Sequence, residues 1–265
     1  QLAGHPLLAY AIQSARDAGI FCEIVCSTDS PEIAEVAQYY RVTHLHLRGQ
    51  YTSDTDPDVA WLQPALAASL LRNRSEDRPR AYAILRPTAP FRSGVTIRLA
   101  WQALQGQRGA HSLRAVRPVR EHPGKMWRLR ELHLPAPPNP DNPAIGSAET
   151  WTRMVPLLPF DIDGVPWHSL PTQALPPVYV QDASLEIAWT FCVLPPALAV
   201  SGTYDSGGTI SGYDVMPFSM PAHEGHDLNT PEDWAQAETL IQTGEATVPV
   251  IDRPPYVQRH HEPSE

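Results

Sequence analysis

The feature of this sequence that most constrains its fold is an alternation of short β-rich runs and amphipathic helical segments in the first hundred residues. The β-rich runs are 23–27, 42–47 and 81–86. The predicted helices cover 6–18, a turn-capped segment after Pro31 that carries Ile33, Val36 and Ala37, and then 58–72 and 95–104. Strands separated by helices of about 10–15 residues form βαβ units. The alternation therefore predicts an α/β fold with a largely parallel sheet.

The pattern changes after residue 117, because residues 118–208 are dense in proline and tryptophan. Proline accounts for 29 of the 265 residues, against a usual share of about 5%. We interpret 118–208 as an insertion, with strands at 178–180 and 184–193, followed by a strand at 209–216 and a helix at 231–243. The predicted organisation is a core of 1–117 and 209–245, the insertion 118–208 and a flexible tail 246–265. A projecting arm of this kind favours a C2 homodimer.

Charge and composition exclude several classes of function. The chain carries 29 acidic and 20 basic residues, a formal net charge of −9, which argues against a broad nucleic-acid or anionic-membrane surface. No stretch approaches the roughly 20 apolar residues that a membrane span needs. The three cysteines form no C-x-x-C pair and no zinc spacing, so we expect a reducing compartment, the cytoplasm.

Two segments fall where an α/β sheet binds its ligands, beyond the carboxyl ends of strands. They are Ser27–Asp29 and Arg86–Arg92. Two arginines beside a rigid proline turn can hold a phosphate or a carboxylate in a bidentate manner. The alternative is structural: Asp29 caps a helix and the prolines form only a turn. The sequence leaves both open.

A third candidate lies between the last strand and the last helix. Asp227 and Asn229 can present a carboxylate and an amide oxygen to a hard cation such as Mg²⁺. His223 and His226 would better suit a softer metal, without a third ligand at helical spacing. The alternative is a solvated turn with Thr230 as the helix N-cap.

Asp161 and Asp163 have the D-x-D form that some glycosyltransferases use to hold a nucleotide-bound metal. We favour an ordinary turn, because D-x-D-G is a common turn sequence.

Six motifs in a fixed order resemble one family. They are Gly4–Tyr10, Val25–Ser30, Ile33–Ala37, Ser53–Thr55, Leu85–Arg92 and Asp227–Asp233. Together they resemble the acylneuraminate cytidylyltransferases, or CMP-sialic acid synthetases, which transfer a cytidylyl group from CTP to an acidic nine-carbon sugar and release pyrophosphate. The resemblance implies a three-layer Rossmann-like nucleotidyltransferase fold, with a mostly parallel sheet and an inserted dimerisation region.

The resemblance also implies roles for individual residues. The implied nucleotide-binding residues are Arg48, Ser53, Asp54 and Asp29. The implied sugar-binding residues are Arg86, Thr88, Lys125 and Tyr179. Asp227 would be the first metal ligand and Asn229 stands at the second, so Mg²⁺ is the expected cofactor, with Asp227 and Arg92 in catalytic roles. The reaction implied is in-line attack of a sugar hydroxyl on the α-phosphorus of CTP.

The sequence departs from the family at three places. The family's first strand and its basic, glycine-containing loop would precede Gln1, so we expect the chain as written to be a poor catalyst. Asn229 replaces an aspartate, which weakens the expected Mg²⁺ site. The run Val180–Glu186 stands where the family has Arg-Pro-Asn-Gly-Ala-Ile-Tyr, so a carboxylate-binding arginine is lost and we expect an acceptor other than ordinary sialic acid.

Two alternatives remain open from the sequence. One is a glycosyltransferase of the related nucleotide-sugar fold that uses Asp161 and Asp163. The other is a degenerate, non-catalytic dimer that binds a nucleotide, which the changes at Asn229 and in the insertion favour.

Overall fold

The structure is a computed structural model that describes residues 1–49, 55–74, 76–134, 149–194, 209–221 and 223–257. Its helices are α1 (Leu7–Ala18), α2 (Pro31–Tyr39), α3 (Val59–Arg72), α4 (Gly94–Gly106) and α5 (Pro231–Gln242). Its strands are β1 (Val25–Thr28), β2 (His44–Leu47), β3 (Ala81–Ile84), β4 (Ser112–Pro118), β5 (Trp127–Leu134), β6 (Glu149–Pro156), β7 (Asp161–Ile162), β8 (Val165–Pro166), β9 (Tyr179–Trp189) and β10 (Val215–Ser219). No helix in these ranges is long and apolar enough to cross a membrane.

The chain divides into two compact units. The first contains residues 1–117 and 181–265, and the second contains 118–180. The second unit thus ends before residue 208, the predicted end of the insertion. Part of the predicted tail packs on the first unit, where the backbone N–H of Tyr256 donates to the hydroxyl of Tyr40 at 3.1 Å.

The first unit contains two sheets. In one, β1 and β2 are parallel, with Val25 opposite His44. The other has the strand order β10-β4-β9-β3, in which β10 is parallel to β4 and β9 is antiparallel to β3. The second sheet is therefore mixed. An antiparallel neighbour such as β9 needs no crossover helix, so it does not show in the strand–helix alternation.

Local sequence explains where the helices begin and end. Gly19 ends α1 in the left-handed region at φ 64°, and its N–H bonds to the carbonyl of Arg16. The side chain of Ser30, not that of Asp29, caps α2 by accepting from the N–H of Ile33. A capping box between Thr230 and Asp233 opens α5, which confirms the predicted cap at Thr230.

Two helices pack their apolar faces on the second sheet. From α3, Leu62 and Leu66 pack with Tyr82 and Ile84 of β3. On α4, Ile97 and its neighbours pack with apolar residues of β4 and β9. Where α1 meets α4, a Cβ atom on Gly94 would lie 2.5 Å from the backbone nitrogen of Ala18. Only glycine allows the two helices to approach this closely.

Two sequence-predicted strands have different bounds in the structure. The strand predicted at 184–193 ends at Trp189, because Thr190–Cys192 turns into a 3₁₀ helix whose first N–H bonds to the carbonyl of Arg80. The strand predicted at 209–216 begins only at Val215, after a turn with Gly212 at φ 67°.

The second unit consists of short antiparallel elements. β5 pairs with β6 along their whole length, and β7 pairs with β8. The ring of Trp167 lies 5.0 Å from that of Phe160 and 5.5 Å from that of His122, edge to face. These aromatic contacts are consistent with a small unit of its own.

Candidate functional site

The carboxyl ends of three strands bring polar side chains together in the first unit. Ser27 lies near the end of β1, Arg48 directly follows β2, and Arg86 follows β3 by two residues. Asp58 and Trp61 lie at the start of α3. We refer to these five residues as the rim cluster.

Contacts within the rim cluster run from one arginine to the other. Arg48 donates from Nε to the hydroxyl of Ser27 at 3.1 Å, and its Cζ lies 4.9 Å from the ring centre of Trp61. The indole N–H of Trp61 donates to Oδ1 of Asp58 at 3.0 Å, and Arg86 donates to Oδ2 of the same carboxylate at 2.5 Å. Trp61 and Asp58 therefore connect Arg48, for which the resemblance implies nucleotide binding, to Arg86, for which it implies sugar binding.

A cavity of about 520 Å³ opens beside the rim cluster. Ser27, Arg48, Trp61 and Arg86 are among its lining residues, together with apolar side chains of α3 and β3. This volume lies within the range of about 300–1,000 Å³ for small-molecule sites, which are mostly apolar with a few placed polar groups.

A second carboxylate lies behind Arg86. Glu186 of β9 is buried, with Oε1 3.7 Å from Arg86 and Oε2 3.2 Å from a terminal nitrogen of Arg114 on β4. Burial raises the pKa of Glu186, and the positive charges of Arg114 and Arg86 oppose that rise. Arg86 and Arg114 thus both pair with the buried carboxylate of Glu186.

The segment around Asp227 pairs with the loop that follows β3. The N–H of Leu228 donates to the carbonyl of Thr88 at 2.8 Å. Oδ2 of Asp227 accepts from the side-chain amide of Asn229 at 2.7 Å, whereas Oδ1 is buried without a hydrogen-bond partner. A buried carboxylate oxygen that lacks a donor suits a cation, whereas the amide N–H of Asn229 does not.

The part of the chain that the structure describes contains no group of three or more His, Cys, Asp or Glu residues placed to hold a metal. Mg²⁺ often uses only one or two carboxylates and completes its shell with water and substrate phosphates. Of the two predicted ligands, Asp227 therefore fits a magnesium ion and Asn229 fits only after its amide rotates. Nε2 of His226 donates to the backbone carbonyl oxygen of Asp233 at 3.1 Å, and Nε2 of His223 lies 4.0 Å from Oε2 of Glu245.

Arg92, expected to orient the reacting groups, is wholly buried. Its terminal nitrogens donate to the backbone carbonyls of Ser184 and Arg86. Burial lowers the pKa of Arg92 to about 10, and the charges of Glu224 and Asp182 oppose that fall. Arg92 thus remains a cation at neutral pH that contacts the protein interior. We refer to the buried residues Arg92, Asp182 and Ser184, together with the partly exposed Glu224, as the buried cluster.

Glu224 joins the buried cluster to the start of α4. Its two carboxylate oxygens accept from the N–H and hydroxyl of Ser93 and from the hydroxyl of Thr96, at 2.8–3.1 Å. In the same cluster, Oδ1 of Asp182 accepts from the N–H of Ser184 at 3.1 Å. Charge at a helix N-terminus and on a buried guanidinium is thereby offset within the protein.

The remaining predicted site residues have various positions. Lys125 and Tyr179 lie in the second unit, where Lys125 donates to the carbonyls of His168 and Leu170 and Tyr179 is 53% exposed. Asp29 is exposed beside the Ser30 cap. Ser53 and Asp54 lie outside the described residues.

The D-x-D candidate forms a turn, as we favoured. Asp161 and Asp163 lie in the β7–β8 hairpin, and Oδ1 of Asp161 accepts from the N–H of Gly164 at 3.2 Å. Asp163 itself has a left-handed φ of 53°.

Sequence reasoning missed four residues that shape this site: Asp58, Trp61, Arg114 and Glu186. Asp58 could have been found from the sequence, because it begins the predicted helix 58–72 and the start of that helix lies near the strand ends. Arg114 and Glu186 carried none, since their contact depends on β9 lying between β3 and β4.

Comparisons with known proteins show which proteins this chain resembles. A cytidylyltransferase family model matches residues 1–63. A CMP:2-keto-3-deoxy-manno-octonic acid synthetase, solved in complex with CTP, superposes with a TM-score of 0.51 and 11% identity over 92% of this chain and 90% of its own. This likeness confirms the predicted nucleotidyltransferase fold.

Two curated relatives are more similar in sequence. The CMP-N,N'-diacetyllegionaminic acid synthase of Legionella pneumophila is 34% identical over 99 residues, 37% of this chain and 42% of the relative. The pseudaminic acid cytidylyltransferase of Campylobacter jejuni is 34% identical over 100 residues, with the same shares. The match thus spans less than half the length of each relative, and the predicted resemblance is confirmed for that part.

Proposed function

We propose that this protein transfers a cytidylyl group from CTP to an acidic sugar of the sialic-acid type and releases pyrophosphate. The observation that carries the proposal is the rim cluster: Arg48 and Arg86, for which the resemblance implies nucleotide and sugar binding respectively, are connected through Trp61 and Asp58. The cavity beside them is lined by both polar and apolar side chains. The match of residues 1–63 to cytidylyltransferases supports the same reaction.

In this reaction a sugar hydroxyl attacks the α-phosphorus of CTP in line. A phosphorus–oxygen bond to the sugar forms, the bond from the α-phosphorus to the bridging oxygen of the β-phosphate breaks to release pyrophosphate, and the hydroxyl proton passes to solvent water. Positioning and charge stabilisation supply most of the rate in phosphoryl transfer. Arg48 beside Trp61 would bind the nucleotide, and the partly exposed guanidinium of Arg86 would face the carboxylate of the sugar.

We further propose Mg²⁺ as the cofactor. Asp227 would hold it through Oδ1, the buried oxygen that lacks a hydrogen-bond partner. Bound Mg²⁺ would neutralise charge on the phosphate oxygens. Asn229 would contribute less than an aspartate does, because it carries no charge.

For the acceptor we propose an acidic eight- or nine-carbon sugar. The relatives are named for N,N'-diacetyllegionaminic acid and pseudaminic acid, and the structural neighbour for 2-keto-3-deoxy-manno-octonic acid. Val180 stands where the family has an arginine that binds the sugar carboxylate. We therefore propose that Arg86, which forms an ion pair with Glu186, binds this carboxylate instead. We also propose that the protein is a homodimer and that it lies in the cytoplasm. The three free cysteines support a reducing compartment.

The test is pyrophosphate release by the full natural chain with Mg²⁺, each of the four nucleoside triphosphates, and these three acidic sugars. We expect release with CTP and one of the sugars. Asp227→Ala should lower the rate by about 100-fold or more with little loss of folding. Asp163→Ala, in the exposed β7–β8 turn, is the matched control and should keep full activity.

A second candidate is a non-catalytic homologue that binds a nucleotide. Two observations favour it: the amide of Asn229 is bonded to Asp227, and Lys125 is bonded to backbone carbonyls. Binding of CTP by the folded protein, without pyrophosphate release for any sugar, would decide for this candidate.

A further inference from the structure

One face of the β1–β2 sheet carries a row of polar side chains. Side chains alternate between the two faces of a strand, so His44, His46 and Arg48 project from one face along β2 and just beyond its end. Ser27 of β1 is the partner of His46 in the parallel register, and the two side chains are in contact on that face. His46 is therefore the next residue beyond the rim cluster in this row.

Ser27 holds Arg48 by two hydrogen bonds. Nε of Arg48 donates to the hydroxyl oxygen of Ser27, and a terminal nitrogen donates to the backbone carbonyl of the same residue, both at 3.1 Å. A long side chain loses rotamer freedom when it binds a ligand, and groups that fix it beforehand lower this cost. The orientation of the Ser27 hydroxyl thus affects how well Arg48 is prepared for a ligand.

His46 determines the orientation of the Ser27 hydroxyl. Nδ1 of His46 lies 2.9 Å from the hydroxyl oxygen of Ser27. Arginine can only donate, so this oxygen accepts from Arg48, and the described residues offer the hydroxyl proton no acceptor other than Nδ1 of His46. The proton of neutral His46 is therefore assigned to Nε2. A protonated imidazole carries N–H at both nitrogens and cannot accept the Ser27 hydroxyl.

The surroundings of His46 favour its neutral form. Burial lowers the pKa of His46, and the positive charges of Arg48 and Arg72 lower it further. Glu23, just before β1, is instead paired with Arg72 at 3.0 Å and lies 3.6 Å from Nε2 of His44. His46 is therefore uncharged at neutral pH and able to accept at Nδ1.

We propose that His46 is a positioning residue for the nucleotide: its Nδ1 accepts the Ser27 hydroxyl, which keeps the Ser27 oxygen directed at Arg48. The proposal rests on the proposed function, because it takes Arg48 as a nucleotide-binding residue. His46 acts through Ser27 rather than on the ligand. Loss of the acceptor, by substitution or by protonation, should release Arg48 and weaken the binding of CTP.

The experiment measures the dissociation constant of the full natural chain for CTP in the presence of Mg²⁺. His46→Leu removes the acceptor and should raise the dissociation constant about tenfold, because a bond that orients a charged donor is lost. Ser27→Ala should have the same effect, and the double variant should bind no more weakly than either, since both changes break one chain of contacts.

Two further variants show whether the acceptor itself matters. His46→Asn places an amide oxygen near the position of Nδ1, so it should restore affinity to within about threefold of the wild type. His44→Asn changes a histidine on the same face of β2 that lies beside Glu23, outside the contacts of Ser27 and Arg48. This matched control should bind CTP as the wild type does.

The pH dependence separates positioning from a merely structural role. Protonation of His46 should weaken CTP binding to the wild type, whereas the Asn variant does not titrate. The phosphates of CTP titrate equally in both assays, so the ratio of the two dissociation constants isolates His46. We expect this ratio, wild type over His46→Asn, to rise about threefold as the pH falls from about 7.5 to about 5.

Nitrogen NMR of the imidazole ring identifies the tautomer without nucleotide or turnover, and the signal of His46 is the one missing from His46→Asn. We expect the proton on Nε2 near neutral pH. A proton on Nδ1, equal CTP affinity of His46→Leu and the wild type, or a wild type that binds relatively more tightly at low pH would overturn this proposal alone. A wild type that does not bind CTP would overturn the proposed function as well.

Discussion

Arg86 of the rim cluster and Arg92 of the buried cluster lie in the same loop between β3 and α4, yet the two arginines have opposite surroundings. The side chain of Arg86 is 35% exposed and is bound to a carboxylate at the cavity. Arg92 has no exposed surface, and its guanidinium donates hydrogen bonds to backbone carbonyls. A guanidinium presents charge to a ligand only where part of it remains accessible. We therefore propose that Arg86 binds the ligand, whereas Arg92 holds the loop in its folded shape.

The largest effect should come from Arg92→Leu. Removing the guanidinium leaves Glu224 and Asp182 without their buried countercharge, and breaking such a group costs about 3–5 kcal/mol. Urea denaturation of the variant and the wild type would measure the loss. A variant of wild-type stability that lacks activity would contradict the comparison, because Arg92 would then act in the reaction.

The next effect should be on activity, from Arg86→Gln. We expect pyrophosphate release to fall about 10- to 100-fold at low acceptor concentration, mainly through a higher KM for the acidic sugar, with stability within about 1 kcal/mol of wild type. Arg117→Gln, at the exposed end of β4, is the control and should change neither. An equal loss in both variants would remove Arg86 from the site.

A smaller effect on stability is expected for Glu224→Gln. The variant keeps the shape of the side chain but removes the negative charge that accepts from Ser93 and Thr96 at the start of α4. Charge-assisted bonds at a helix N-terminus contribute about 1–2 kcal/mol, so the free energy of unfolding should fall by that amount. Thermal unfolding followed by circular dichroism measures it. An unchanged free energy of unfolding would mean that Ser93 alone caps α4 and that the charge of Glu224 contributes nothing.

The smallest effect is a pH dependence that Glu186 contributes. Burial raises its pKa in the folded state above the ordinary value of 4.5, so the folded state binds the proton more tightly than the unfolded state does. The contribution of Glu186 to stability is complete below pH 4.5 and is lost as the pH rises through the folded-state pKa.

The Glu186→Gln variant does not titrate, so the wild type should lose stability relative to this variant as the pH rises from 4 to 7. Urea denaturation of both proteins across this range tests the sign. If the wild type instead became more stable relative to the variant as the pH rises, the charges of Arg86 and Arg114 would outweigh the effect of burial on the pKa of Glu186.

The sequence predicted those parts of the site that follow from strand ends. Arg86 ends a β-rich run, and an α/β sheet binds its ligands beyond the carboxyl ends of its strands, so the position of Arg86 at the site could be predicted from the residues. Arg48 was predicted through the family resemblance. The different surroundings of Arg86 and Arg92 could not be predicted, because a proline-rich loop has no periodicity from which burial can be inferred. Nor could the role of Glu186, since its partners depend on an antiparallel strand order that the strand–helix alternation does not contain.

The most direct test of the rim cluster as the binding site is amide hydrogen exchange of the full natural chain, with Mg²⁺, before and after addition of CTP and the acidic sugar that supports pyrophosphate release, or of CTP alone if none does. The proposal predicts slower exchange in the segments around Arg48, Asp58–Trp61 and Arg86–Thr88. It predicts unchanged exchange in the β7–β8 hairpin. Protection confined to other segments, with the rim cluster unchanged, would contradict the account.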